Sequence, residues 1–170
     1  AAGWVSFLMD FSSEMVYHLV PLFLTGVIGS SKTSVGIIEG VAESTASLLK
    51  VFSGWLSDVL GKRKLLMTLG YGISTLSRPL LYAATGTGGV LTARFIDRFG
   101  KGVRTSPRDA IIAESTENHN LGRAFGFHRS MDTIGGVIGP ALATILLILF
   151  LGNIRLVFLL SIIPAAIAVA

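Results

Sequence analysis

The chain has 170 residues, 51% of them hydrophobic and 14% charged, with no cysteine and a formal net charge of +4. Soluble domains carry about 25% charged residues, so an ordinary soluble fold is excluded, as are a disordered tail, a disulfide-stapled secreted module and a zinc–cysteine site. The longest basic run is Lys62-Arg63-Lys64, so the positive surplus reads as a membrane-topology signal and no nucleic-acid partner is expected.

A bilayer core about 30 Å thick requires roughly 20 apolar residues per helix. Six such segments fit, at 4–28, 33–57, 65–85, 90–113, 124–149 and 154–170, separated by short stretches rich in glycine or charge. Segment one is too long for a signal peptide and carries Asp10, Glu14 and His18 four residues apart, hence on one helical face. Segment two places Glu39 and Glu43 on one face, with Lys50 seven residues further on. Segment three holds only Arg78 and is expected to face lipid. Segment four is the most charged: Arg94, Arg98, Lys101, Arg104 and Arg108 recur every three or four residues, beside Asp97 and Asp109. Segment five offers His128, Arg129 and Asp132, and segment six is apolar after Arg155, so it too is expected to face lipid.

Charges inside a bilayer are costly unless they face protein or a water-filled cavity, so segments one, two, four and five are expected to line one. At about 1.5 Å per residue, Asp10 falls level with Arg104 and Arg108, and Glu14 near Lys101 and Asp132. Both acids are expected to approach the basic stripe, with His128 or Arg129 completing the polar layer. With the N-terminus in the cytoplasm, Lys62, Arg63, Lys64 and Arg123 lie on the inner loops and only Lys32 and Arg155 on the outer ones, the favoured sense of the positive-inside rule. The order charged, mixed, apolar occurs in segments one to three and again in four to six, the pattern of inverted three-helix repeats in transporters.

Three motifs carry a family likeness. Gly54-Trp55-Leu56-Ser57-Asp58-Val59-Leu60-Gly61-Lys62-Arg63-Lys64 resembles the loop between the second and third helices of the major facilitator superfamily, with Val59 where that family often has Arg or Lys. Arg94 to Gly102, followed by Glu114 and Gly122-Arg123-Ala124, is similar to the family's fourth helix and the loop after it, departing at Asp97 and Arg98. Gly126, Gly135, Gly139 and Pro140 follow part of the fifth-helix antiporter motif, and tight packing without antiport explains them equally well.

The resemblance implies an all-α integral membrane fold: residues 1–170 as the N-terminal six-helix half of a transporter, with a C-terminal half absent from this chain or replaced by a second copy. It implies a gating latch of Gly54, Asp58, Gly61, Lys62 and Arg63, with Glu114 as partner of Lys62 or Arg63. The function it implies is secondary active transport of a small solute by alternating access, in a bacterial inner membrane, with antiport or efflux driven by protons as one form. Two roles for the intramembrane charges stay open: proton binding at Asp10, Glu14 or Glu43, and an electropositive path along segment four for an organic or phosphorylated anion. A passive channel, a structural subunit, or a divalent-metal carrier using Asp10, Glu14 and His18 are the alternatives, although Asp10 and His18 lie about 12 Å apart along the helix. No nucleophile or metal constellation of an enzyme appears, and no cofactor is expected.

Overall fold

A computed structural model describes residues 2–169, which are helical almost throughout and contain no strand. Segment one comprises α1 (Ala2–Tyr17), the short α2 (Val20–Leu22) and a π-helical turn, Phe23–Val27. Segments two to five are the continuous helices α3 (Lys32–Leu60), α4 (Arg63–Ala83), α5 (Thr87–Glu114) and α6 (Leu121–Leu149). Segment six is α7 (Ile154–Leu160) followed by α8 (Ile162–Val169).

Segments one and six were expected to run unbroken, and both are interrupted, after Tyr17 and at Ser161. In each case a proline, Pro21 or Pro164, stands four residues beyond the end of a helix and supplies no N–H to its last turn. Gly61 closes α3 in the left-handed conformation at φ 62°, where its N–H reaches the Ser57 carbonyl at 3.0 Å. That turn reverses the chain directly into the basic start of α4.

By length and hydropathy, among the described residues only the run Asn118–Leu149 meets a strict requirement for crossing a membrane, and Ile154–Val169 is a shorter apolar helix. The expected segments two and four are long enough, at 29 and 28 residues, but their charged stripes dilute the apolar content.

The packing follows small residues. α5 is flanked by α3 and α4, while α1 lies between α6 and the α7–α8 pair, which also touches α4. A Cβ at Gly100 would stand 2.5 Å from the Gly70 carbonyl oxygen, and one at Gly102 would stand 2.6 Å from Leu49 Cβ, so α5 meets both neighbours at near backbone contact. At the α1–α6 crossing, a Cβ on Gly139 would stand 2.7 Å from the Phe11 carbonyl oxygen and one on Gly135 3.0 Å from that of Phe7. Gly126 has open space around it and takes no part in this crossing, contrary to the expectation for the fifth-segment motif.

Segment three is not a lipid-facing helix along its whole surface: Tyr71, Ser74, Ser77, Arg78 and Leu81 are buried against its neighbours. Segment six likewise buries Val157, Phe158 and Ala165 while exposing Ile163 and Ile167. The largest apolar cluster, including Val20, Phe23, Leu24, Val90 and Phe158, seals the end of the bundle opposite the Lys62 to Lys64 loop. The charged residues of α5 lie between that apolar plug and the basic loop.

Candidate functional site

α5 carries a ladder of cations, four of which face carboxylates contributed by α1, α3 and α6. Arg94 holds Glu39 of α3 with two hydrogen bonds, of 2.9 and 2.6 Å, the fork geometry that favours arginine over lysine. One turn on, Arg98 Nε stands 3.5 Å from Glu43 of α3, and the guanidinium lies 5.1 Å from the Tyr17 ring centroid. Arg104 reaches Asp10 of α1 at 3.4 Å and stacks on Tyr71 at 4.6 Å. Arg108 contacts Asp132 of α6 at 3.7 Å and donates to Ser6 Oγ at 2.9 Å. His128 pairs with the same Asp132 at 3.3 Å.

A second cluster sits nearer the apolar plug. Asp97 accepts from Arg78 of α4 at 2.6 Å and from Arg94 at 3.4 Å. Arg78 also donates to the Ser74 carbonyl, to Ser77 Oγ, and to Ser12 and Ser13 of α1. Its side chain is 1% exposed, and every hydrogen-bonding nitrogen has a partner. Sequence reasoning placed Arg78 in a helix facing lipid and missed this role, because one arginine has no periodicity to reveal which face it occupies.

Between α1, α3, α5 and α6 lies a cavity of about 310 Å³. Asp10, Glu43 and Asp132 contribute three carboxylates to its wall, while Lys50, Lys101, Arg104, Arg108 and Arg129 contribute five cations. With carboxylates and cations all ionised, the lining is net positive by two. Several buried polar atoms in this region have no hydrogen-bond partner, among them Arg98 Nε, Arg104 Nη1, His128 Nε2 and Asp132 Oδ1.

Asp10 thus meets the basic stripe as expected, whereas Glu14 does not. Glu14 turns to His18, 3.7 Å away just beyond the end of α1, and Asp10 is engaged by Arg104. The set Asp10, Glu14 and His18 therefore does not converge, and among the described residues no group of three potential ligands does.

At the end of the bundle remote from the plug, Arg63 bonds Asp58 at 2.9 Å and also pairs with Glu114, joining the ends of α3, α4 and α5. Of the two basic residues considered for Glu114, Arg63 rather than Lys62 makes the contact. Hydrogen bonds that Arg63 donates, to Glu114 first and Asp58 second, raise its pKa above the ordinary value. A Cβ at Gly54 would stand 3.4 Å from Ser106 Cβ, and the Ser106 hydroxyl donates to the Lys50 carbonyl at 2.6 Å.

The described residues form an all-helical bundle with close glycine crossings, buried ion pairs and Arg63 joining three helix ends. The Major Facilitator Superfamily model matches residues 2–170, and the chain belongs to that superfamily. It is 41% identical over 149 residues to an uncharacterized MFS-type transporter of Methanocaldococcus jannaschii, covering 88% of this chain and 37% of that protein. It is 30% identical over 146 residues to a protein of Cupriavidus pinatubonensis named a probable 4-methylmuconolactone transporter, covering 86% of this chain and 33% of that one. A solved structure of a POT family transporter in complex with 5-aminolevulinic acid superposes with a TM-score of 0.87 at 19% identity, over 99% of this chain and 36% of that chain. The fold is therefore shared, and the chain spans about a third of the length of the proteins it matches. Members of this superfamily are integral membrane proteins, and the relatives are named as transporters rather than enzymes.

Proposed function

We propose that residues 1–170 form the N-terminal six-helix half of a secondary active transporter that moves a small anionic solute by alternating access. The observation that carries this reading is the cavity of about 310 Å³ among segments one, two, four and five, with five cations against three carboxylates. An excess of cations around a cavity, with Arg104 and Arg108 buried and Lys50 and Arg129 exposed at its edge, draws in a counter-ion, so the site favours an anion, and arginine can grip a carboxylate or phosphate with two parallel hydrogen bonds. Asp10 is the proton acceptor in this scheme. Its 3.4 Å contact with Arg104 neutralises that guanidinium when no solute is bound, and a proton on Asp10 frees Arg104 for the solute.

The packing pattern supports inverted repeats. Segment one contacts five and six, segment four contacts two and three, and three meets six. Exchanging one with four, two with five and three with six maps this set onto itself. The remaining wall of the cavity comes from a second six-helix half or a second copy. The basic loop Lys62 to Lys64 supports a cytoplasmic N-terminus, in a bacterial inner membrane, which puts the Arg63 latch on the cytoplasmic side. A latch that fastens helix ends suits a carrier alternating between two states better than an open channel.

The test is uptake by the full-length protein in proteoliposomes with and without an imposed pH gradient. The wild type is expected to accumulate an organic anion only with the gradient, and Asp10→Asn to retain exchange while losing gradient-driven accumulation. Unchanged accumulation in Asp10→Asn overturns the proton role.

A further inference from the structure

The rungs of the α5 ladder are not equally satisfied. Arg94, Arg104 and Arg108 each have a carboxylate contact on an intermediate or buried side chain: Glu39 and Asp10 are both 22% exposed and Asp132 is 12% exposed. Arg98 differs. Its side chain is 5% exposed and its Nε lacks a hydrogen bond, as Arg104 Nη1 does, but its carboxylate partner Glu43, 3.5 Å away, is 62% exposed, and that exposed partner sets this rung apart. Lys101, one helical turn further on and therefore on the same face, has no ion-pair partner within 4.0 Å among the described residues. Lys101 and Glu43 both line the 310 Å³ cavity. The Arg94 and Arg98 guanidiniums stand 5.0 and 5.1 Å from the centroid of the Tyr17 ring, which gives the under-compensated pair an aromatic neighbour.

We propose that Arg98 and Lys101 form the docking point for a carboxylate of the transported solute, and that Glu43 occupies this point as an internal stand-in which the solute displaces. This rests on the reading of the cavity as an anion site and assigns the solute class within it. The chemistry of the stand-in argues for carboxylate: Glu43 approaches Arg98 in a loose contact rather than a tight fork, as a tethered group of the right charge and imperfect reach does. Its mostly exposed side chain can swing away at little packing cost. Arg104 and Arg108 are less suited to make the first contact, because a solute there would have to break the contacts to Asp10, Ser6 and Asp132. Arg98 is not part of the cavity wall and meets it through Glu43, so displacement of Glu43 exchanges one carboxylate for another and leaves the charge beside Arg98 unchanged.

The experiment is equilibrium binding to the purified full-length protein, followed by thermal stabilisation, with acetate, succinate and inorganic phosphate as probes at constant ionic strength. Acetate and succinate are expected to stabilise the wild type at lower concentration than phosphate. Glu43→Gln removes the internal competitor and is expected to tighten carboxylate binding at least tenfold; Arg98→Gln is expected to weaken it at least tenfold. Glu43 is exposed, so its variant reads out cleanly even if Arg98→Gln folds poorly. Equal or weaker carboxylate binding in Glu43→Gln overturns the stand-in. If neither variant changes binding while Lys50→Gln or Arg129→Gln abolishes it, the docking point is wrong and the anion cavity stands. If no anion stabilises the wild type, the cavity reading fails with it.

Discussion

Asp97 shows how much of the membrane interior depends on a single side chain. Its carboxylate is shared by Arg78 and Arg94, and Arg78 in turn ties α4 to Ser12 and Ser13 of α1. Removing one member of a buried pair leaves an uncompensated charge, which costs about 3 to 5 kcal/mol. Arg78→Gln is therefore expected to destabilise the full-length protein by about that amount in denaturant unfolding, whereas Glu117→Gln, at an exposed position on the loop before α6, should change stability by less than about 0.5 kcal/mol. A loss from Arg78→Gln no larger than that of Glu117→Gln would mean that the cluster is not a structural hub. At this scale the sequence revealed which residues are charged and which share a helical face, and that sufficed to pair Asp10 with the stripe. It could not decide between partners at similar depth. Glu14 and Asp10 share a face, yet local geometry gives Glu14 to His18, and a lone Arg78 in an apolar segment gave no sign of its burial.

Among the elements, glycine decides where helices cross and proline where they break. Gly100 and Gly70 allow α4 and α5 to meet at backbone contact, and the atoms a Cβ would strike at Gly100 include backbone groups that cannot turn aside. Gly100→Ala is expected to cost about 1 to 3 kcal/mol by overpacking. Gly126→Ala meets open space and should be neutral or stabilising by up to about 1 kcal/mol, through better helix propensity. Melting temperatures of the two variants test this directly, and a larger loss at Gly126 would contradict the packing described. Helix number and approximate bounds were legible from hydropathy and from the turn residues, and Gly61 marked the end of α3. The breaks in segments one and six were legible too, at Pro21 and Pro164, but a pattern weighted to apolar length passes over them. The burial of segment three was not legible, since its close contacts with α5 depend on Gly70 and Ser74 meeting Gly100, a pairing that only the tertiary fold brings together.

For the molecule as a whole, charge is graded along the bundle: an apolar plug at one end, a cation-rich cavity in the middle, and the Arg63 ion pairs at the other end. The same stripes that build the cavity keep α3 and α5 below a strict hydropathy requirement, so the most informative helices are the least obvious as membrane spans. If the Arg63 latch holds the cytoplasmic ends of α3, α4 and α5 together, Arg63→Gln should increase labelling of a cysteine introduced at Ser106 by a membrane-impermeant maleimide applied from the cytoplasmic side, by at least about twofold. Unchanged labelling would reduce the latch to a helix-ending loop. The central claim is that the cavity belongs to a carrier of anions, and counterflow by the full-length protein in proteoliposomes tests it most directly. Saturable uptake of a labelled carboxylate is expected, accelerating when the same unlabelled anion is loaded inside, with loss of that acceleration in Arg98→Gln. Flux that rises linearly with concentration and ignores the internal anion would contradict it.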